Sequence, residues 1–392
     1  MNDMAINEYY TPTHVYFGKG AEEKVGTILK EHGYRKVLLH YGSGSVLRSG
    51  LLEKTERLLK ENGIDSIRMG GVVPNPRVDL VRKAIALGRE EQVDFILAVG
   101  GGSVLDSAKA IGYGLYNTEG DIWEYYLGQR KVQGCLPIGT ILTLAATGSE
   151  MSASSVISNE EGIGYKRGLN SDFGRPKFAF LNPELTYSVS AYQTASGSAD
   201  IMMHTLERFF HQGYTLDLTD ELSLSLLKCV IKYLPLALQN PEDYDARANL
   251  MWAGSLSHNG LLQTGNDSRG DWAPHQMEHE LSAKYDVAHG AGLTAVWPSW
   301  ARYVKDAGPE RFEKLGSYLF GTKTADEAID RMEAFFLSVG MPVSLKGLGI
   351  EATDEDLKAL ALNATFGEKR TLGNMKVLQK EDILQIYRMA NH

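Results

Sequence analysis

Three histidines lie close together in one stretch of the chain, at positions 275, 279 and 289. His275 and His279 are four residues apart, so on a helix they would share one face, a turn apart. His289 follows His275 by fourteen residues. On a continuous helix that separation would be about 21 Å, too far for both side chains to bind one ion. The sequence therefore predicts a break in the helix at residues 285–288, before His289.

A second pair of possible metal ligands, Asp200 and His204, lies upstream. Their spacing also suits one helical face, from which a carboxylate and an imidazole can reach the same divalent cation. Either pair alone would also fit an ordinary helix with packed or solvated polar side chains. Together with His275 and His289, the pair makes a set of one carboxylate and three histidines. Such a set suits one divalent Fe, Zn, Co or Ni ion, and not an all-oxygen Mg or Ca site.

A glycine-rich segment in the first half of the chain could bind phosphate. The apolar run 95–99, typical of a strand covered on both faces, leads towards Gly101, Gly102 and Ser103. The glycines would let the backbone approach a ligand closely, and Ser103 with Asp106 fits a capping box at the start of a helix. Free N–H groups and the positive dipole end there favour a pyrophosphate. The alternative is a tight strand–helix turn that binds nothing, since the pattern is not the GxGxxG fingerprint.

In their order along the chain, these motifs resemble the iron-containing (group III) alcohol dehydrogenases, most closely the butanol dehydrogenase and broad aldehyde reductase branch. The resemblance covers essentially the whole chain and is carried by Gly100–Lys109, Ala146–Glu150, Asp200–His204 and His275–Gly290. It implies that the metal ligands are Asp200, His204, His275 and His289. It also implies that His279 lies near the nicotinamide and does not bind the metal.

The resemblance further implies which residues contact the dinucleotide. Thr143, Thr147 and Ser152 would line it, and Lys166 would reach it from later in the chain. Together with the glycine-rich segments and an early turn, the expected cofactor-binding residues are Gly42, Ser43, Ser45, Asn75, Gly101, Gly102, Ser103, Asp106, Thr143, Thr147, Ser152 and Lys166.

The turn that follows an early strand bears on the choice of cofactor. In dinucleotide enzymes a carboxylate there usually binds the ribose 2′-hydroxyl and repels a 2′-phosphate, and NAD-preferring members of the resembled family tend to have Asp at this turn. Here the turn begins Gly42-Ser43, with no acidic residue before Glu53. Small residues leave room for a phosphate, to which Ser43 and Ser45 can donate and Arg48 can add charge. The sequence therefore predicts NADP(H) over NAD(H); at a plain glycine-rich turn, NAD would bind as well.

Two kinds of secondary-structure pattern divide the chain. Strand-like and helical segments alternate through 1–190, which predicts an α/β domain with a mostly parallel, Rossmann-like sheet that binds the dinucleotide. Helical patterns follow one another through 191–392, which predicts an all-helical domain that binds metal and substrate. Because ligand sites favour domain interfaces, the reaction is expected in the cleft between the halves.

Composition excludes several classes of protein. The 392 residues are 43% hydrophobic and 23% charged, with a net charge of −9, which argues against partners such as nucleic acid or anionic membrane. Cys135 and Cys229 make neither a disulfide framework nor a structural zinc site, and they fit a reducing cytoplasm. No signal peptide or membrane span is predicted. A cytoplasmic location is expected, and the resemblance implies a homodimer.

These features predict a metal-dependent, NAD(P)-linked dehydrogenase that interconverts primary alcohols and aldehydes. His279 is the candidate catalytic residue, orienting the substrate or relaying its proton; a packing role is the alternative. A glycerol or polyol dehydrogenase of the same superfamily is the nearest alternative activity, disfavoured by the match of 272–292 to the butanol branch. A metal-dependent hydrolase or lyase would not need the glycine-rich segment, and a non-catalytic nucleotide-binding protein would not need the metal ligands.

Overall fold

The computed structural model describes residues 6–42, 44–161, 165–266, 268 and 270–392. The chain divides into two compact units. One is Thr11–Ser188, and the other is Val189–His392 together with the described residues before Thr11. Among the described residues, no helix is long and apolar enough to cross a membrane.

The unit Thr11–Ser188 is built on a parallel sheet, as the alternating pattern predicted. Its strands are β1 (His14–Phe17), β2 (Lys36–Gly42), β3 (Asp65–Val72), β4 (Phe95–Gly100), β5 (Ile138–Leu142), β6 (Ser154–Asn159), β7 (Tyr165–Asn170) and β8 (Phe178–Leu181). Six of them form the parallel sheet, in the order β1-β8-β5-β4-β2-β3. β6 and β7 form a separate antiparallel pair, which the sequence had not predicted.

Helices connect the parallel strands, because a parallel pair needs a crossover. They are α1 (Val25–Glu31), α2 (Ser45–Arg48), α3 (Leu51–Glu61), α4 (Val78–Glu90), α5 (Gly102–Tyr116) and α6 (Ile122–Tyr126). β4 is buried along its whole length, as its apolar sequence predicted. Its side chains Phe95, Leu97 and Val99 belong to the hydrophobic core of this unit.

β2 and β4 are neighbours in the sheet, but the chain leaves them in opposite directions. After β2 it continues to β3 at the edge, and after β4 it continues to β5 on the other side. In doubly wound sheets, ligands bind beyond the carboxyl ends of strands at such a switch point. Gly42 ends β2 and Gly100 ends β4. Both turns that were predicted to bind the cofactor therefore start at this place.

The predicted capping box at Ser103 and Asp106 is wrong. α5 begins at Gly102 with Gly101 as its N-cap, and no side chain caps it. Because the helix begins earlier than the pattern assumed, Asp106 lies in the second turn, beyond reach of the cap. Its carboxylate instead accepts hydrogen bonds from Ser149 Oγ (2.7 Å) and from the backbone N–H of Val156 (3.1 Å).

The unit that contains Val189–His392 is helical, as predicted. Its helices are α7 (Ala191–Phe209), α8 (Asp217–Gln239), α9 (Tyr244–His258), α10 (Ala273–Tyr285), α11 (His289–Val304), α12 (Pro309–Phe320), α13 (Ala325–Ser338), α14 (Asp354–Ala364) and α15 (Lys380–Ala390). α11 packs against α7 and α10. Between α10 and α11, Asp286 adopts a left-handed backbone with φ 52°. The predicted break before His289 is therefore confirmed.

Candidate metal centre and cofactor-binding residues

Three helices bring the four predicted metal ligands together. α7 carries Asp200 and His204, α10 carries His275, and α11 begins at His289. Asp200 Oδ1 lies 3.8 Å from the Nε2 atoms of both His275 and His289, and 3.5 Å from His204 Nδ1. Asp200, His275 and His289 form the tightest group, with ligand atoms within 4.8 Å of one another. His204 joins this group through its approach to Asp200.

Two glycines of α11 allow the helices to approach closely enough for this arrangement. A Cβ at Gly290 would overlap the carbonyl oxygen of Ser196 on α7. A Cβ at Gly292 would lie 2.8 Å from Glu278 Cγ on α10. Only glycine fits at such contacts, so these positions are what bring His289 to Asp200.

Buried carboxylates orient two of the histidines. His275 Nδ1 is 2.6 Å from Glu207 Oε1, and His289 Nδ1 is hydrogen-bonded to Glu278 Oε2. Glu278 also accepts a hydrogen bond from Ser282 Oγ. A carboxylate on one ring nitrogen of a metal-binding histidine fixes the ring and its tautomer, which leaves the other nitrogen for the ion. The sequence analysis missed both acids, although Glu207 is three residues from His204 on the same helix, a spacing that places neighbours on one face.

The polar atoms at this centre fit a bound cation. Asp200 Oδ1, His204 Nδ1 and His275 Nε2 are buried and have no hydrogen-bond partner, a rare condition that needs an explanation. Burial lowers the pKa of His204, with nearby His258 adding to the effect. Burial also acts to lower the pKa of His275, but the negative charge of Glu207 and contacts with Asp200 outweigh it and raise this pKa to about 9. A divalent ion would replace that proton among the carboxylates.

A second group of possible donors, Glu278, His279 and His289, also lies within 4.8 Å. Both carboxylate oxygens of Glu278 already accept hydrogen bonds, from His289 and Ser282. The group around Asp200 is therefore the better metal site. The His279 ring lies beside it, with its centroid 5.7 Å from that of His289 and 6.4 Å from that of His275.

In the α/β unit, the segment after β5 passes over the beginning of α5. Thr143 donates its backbone N–H to the carbonyl of Gly100 (3.0 Å), and a Cβ at Gly102 would overlap the Thr147 side chain. Gly102 and Ser103 are the first two residues of α5. The N–H groups of a first helical turn make no bonds within the helix, so they can bind an anion.

A buried lysine of α5 holds the segment 149–154 against this helix by hydrogen bonds. Lys109 Nζ donates to Ser149 Oγ (2.8 Å) and to the carbonyls of Ser152 (3.0 Å) and Ser154 (2.7 Å). Burial lowers the pKa of Lys109 to about 8. Burial raises the pKa of Asp106, while the charge of Lys109 opposes that rise. The lysine thus positions Ser152, one of the predicted cofactor contacts.

Two further predicted cofactor residues, Asn75 and Lys166, lie beside the antiparallel pair. Lys166 on β7 is buried and lies opposite Ser158 on β6. The backbone N–H of Ser158 donates to the Pro76 carbonyl (2.8 Å), which brings the turn containing Asn75 alongside. Asn75 itself adopts a left-handed backbone with φ 54°.

The turn after β2 has room for a side chain at Gly42. A Cβ at Gly42 would lie 3.6 Å from the Val72 carbonyl oxygen, an ordinary contact. Ser45 is exposed and begins α2. Arg48 lies beside the turn, since a Cβ at Gly44 would lie 2.6 Å from its Nη1. Ser43, the remaining predicted contact, lies outside the described residues.

Comparison with known proteins identifies the family. Residues 12–183 match the family described as iron-containing alcohol dehydrogenase, and residues 194–391 match the C-terminal region of the Fe-containing alcohol dehydrogenase family. NADH-dependent butanol dehydrogenase A of Clostridium acetobutylicum is 41% identical over 98% of this chain and 99% of its own length. NADPH-dependent aldehyde reductase YqhD of Escherichia coli is 35% identical over 88% of this chain and 89% of its own length.

A solved structure supports membership of the same family. The crystal structure of NADH-dependent butanol dehydrogenase A from Thermotoga maritima matches with a TM-score of 0.95 and 35% identity, over 99% of both chains. The fold, with an α/β unit and a helical unit, and the candidate metal centre fit a metal-dependent oxidoreductase. The chain belongs to the iron-containing alcohol dehydrogenase family. The predicted NAD(P)-linked interconversion of alcohols and aldehydes is confirmed at the level of this family.

Proposed function

We propose that the protein is an NADP(H)-preferring dehydrogenase that interconverts primary alcohols and aldehydes of the butanol type. The observation that carries the proposal is the convergence of buried, unpartnered donor atoms of Asp200, His204 and His275, with His289 beside them. The butanol dehydrogenases among its relatives support the substrate class. Comparing kcat/KM for butanal reduction with that for glycerol oxidation tests it: butanal is expected to be far the better substrate, and a preference for glycerol would favour the polyol alternative. The homodimer implied by the resemblance stays a prediction.

The residues of the helical unit have distinct parts in this reaction. Asp200, His204, His275 and His289 would hold the ion, which supplies Lewis acidity towards the substrate oxygen while the nicotinamide supplies or accepts hydride. Glu207 and Glu278 keep the rings of His275 and His289 oriented. Apart from His289, which is partly exposed, these side chains are buried, and the exclusion of water from their donor atoms strengthens their electrostatic interactions.

The role proposed for His279 is to orient the substrate or relay the proton of its hydroxyl group. His279→Ala is expected to keep the metal but lower kcat by about 10²-fold, as for loss of a positioned acid–base group. Metal content and kcat, measured on the same preparation, check this. Loss of the metal from this variant would show that His279 is a ligand, and an unchanged kcat would leave it a packing residue.

The proposed preference for NADP(H) rests on the turn after β2. Relatives do not decide it, because their names include both NADH-dependent and NADPH-dependent enzymes. A phosphate at this turn would meet small residues and the nearby Arg48 guanidinium. Gly42→Asp places a carboxylate there, at a position with room for a side chain, so that like charges repel a 2′-phosphate.

We expect wild-type kcat/KM to favour NADPH over NADH, and Gly42→Asp to lower the NADPH value by roughly 10² or more while changing the NADH value much less. Gly42→Asn is the matched control, since it adds the same volume without the charge. Equal use of both cofactors by the wild type, or the same ratio in the Asp and Asn variants, would show that this turn does not distinguish the 2′ position.

A further inference from the structure

The contacts of His204 differ from those of the other histidines of the metal centre. Glu207 orients His275 and Glu278 orients His289. His204 Nδ1 is buried without a hydrogen-bond partner and lies 3.5 Å from Asp200 Oδ1, as expected of the nitrogen that faces the ion. Because Asp200 is itself a proposed ligand, it cannot serve as the outer support that usually fixes a metal-binding imidazole.

A second imidazole packs against His204. The ring of His258 lies with its centroid 4.1 Å from that of His204, at an interplanar angle of 40°. The ring centroid of Trp272 lies 6.1 Å from that of His204 and 6.0 Å from that of His258, so three flat rings form one cluster. The Arg208 guanidinium lies over Trp272 at 4.6 Å and donates to the His204 carbonyl at 2.8 Å.

The end of α9 fixes the place of His258. It is the last residue of this helix, and Asn259 is the C-cap. Gly260 then reverses the chain with φ 99°, and Asn259 Oδ1 accepts from the backbone N–H of Leu261 (2.9 Å). The His258 backbone is therefore held at the helix end by local structure that does not depend on the ring. Replacing the ring should leave this turn intact.

We propose that His258 is a positioning residue of the metal centre, whose ring packs on His204 and holds that imidazole in the orientation that binds the ion. The recorded contact of His258 with this centre is between its ring and that of His204, with the centroids 4.1 Å apart. The contribution of His258 is therefore assigned to the shape of its ring and not to a nitrogen ligand. The inference rests on the proposed ligand set, and it is independent of the cofactor preference and of the substrate.

Two substitutions separate ring shape from nitrogen chemistry. His258→Phe keeps a flat ring and removes both nitrogens, whereas His258→Ala removes the ring. The dissociation constant for Co²⁺ is measured on metal-free protein by competition with a chelator of known affinity. We expect His258→Ala to weaken binding by about 10- to 100-fold, the usual range for loss of an outer support, and His258→Phe to stay within about threefold of wild type. At saturating Co²⁺, His258→Ala should recover kcat.

Ser257→Ala, at the preceding position of α9, is the positional control and should bind Co²⁺ like the wild type. The Ser257 hydroxyl donates to the carbonyl of Gly254 on the same helix (2.8 Å) and not to the metal centre. Thermal unfolding of the metal-free proteins shows whether each variant is folded, and the phenylalanine variant keeps the test decisive if the alanine variant is not.

Two outcomes would overturn the proposal. Equal loss of Co²⁺ affinity in both His258 variants would show that a ring nitrogen, and not the ring shape, supports the metal centre. Wild-type affinity in His258→Ala would show that the ring has no role in metal binding. Loss of Co²⁺ from His275→Ala in either case would leave the proposed function standing.

Discussion

Replacing His275 by alanine is expected to remove the divalent ion and to lower kcat by at least about 10³-fold. Lewis-acid stabilisation of the reacting oxygen is worth several kcal/mol, and each 1.36 kcal/mol is about tenfold in rate. The substitution also leaves the carboxylate of Glu207, which is fully buried, without its imidazole partner. The purified wild type should carry about one divalent ion per chain, since its four donors form a single site. Elemental analysis and kcat on the same samples check both expectations.

His211→Ala is the matched control for that substitution. His211 is a buried histidine of the same helical unit, but its Nδ1 contacts the Gln212 carbonyl and not the donor group. It should keep the metal and most of the activity. Active wild-type protein without bound metal, or His275→Ala with a full complement of metal, would contradict the assignment.

The grouping of the four proposed metal ligands could be predicted because the spacing that indicates it is local. Asp200 and His204 are one turn apart on a helix, and the left-handed residue Asp286 lies within the stretch where the spacing of His275 and His289 required a break. The orienting roles of the buried acids could not be predicted. Each depends on how α7, α10 and α11 pack, which residue spacing does not specify.

The need for glycine in α11 could not be predicted from residue spacing either. His289-Gly290 is visible as a motif, but the requirement for glycine arises from its contact with Ser196 on α7, far away in sequence. The antiparallel pair β6–β7 was missed for a related reason. Its first strand, Ser154–Asn159, is polar in sequence and yet mostly buried. Ser155 Oγ, for example, donates to the Asp106 carbonyl on α5 (2.8 Å), a partner that cannot be read from a local sequence pattern.

Asp106 on α5 was likewise mistaken for part of a helix cap, and its buried neighbour Lys109 leads to the second large effect. Lys109→Met is expected to lower the free energy of unfolding by about 3–5 kcal/mol, because it leaves several buried oxygen acceptors without a donor, at about 1–3 kcal/mol each. Lys109 is fully buried, and its four hydrogen bonds to the segment 149–154 would be lost together. Asp106 would keep its carboxylate but lose the nearby ammonium. Urea unfolding of the full-length protein measures the difference.

The double variant Lys109→Met, Asp106→Asn is the control, because it removes the unpaired charge as well. If the pair interacts as described, the double variant should be more stable than the sum of the two single effects predicts, as in a double-mutant cycle. Additive losses would show that the two side chains do not stabilise one another. Metal content should be unchanged in all three variants, since Lys109 and Asp106 belong to the other unit.

The pH dependence of stability gives an independent check on Lys109. Burial lowers its folded-state pKa to about 8 from the ordinary value of 10.5, so between these values the unfolded chain binds more protons than the folded one. Stability from this group therefore rises as pH increases from about 8 to 10.5 and is smaller below that range. Other groups titrate there too, but they are common to both proteins, so the difference between wild type and Lys109→Met isolates this contribution. The difference in unfolding free energy between the two proteins should widen with rising pH over this window. A difference that stays constant or narrows would show that the pKa of Lys109 is not lowered in the folded protein.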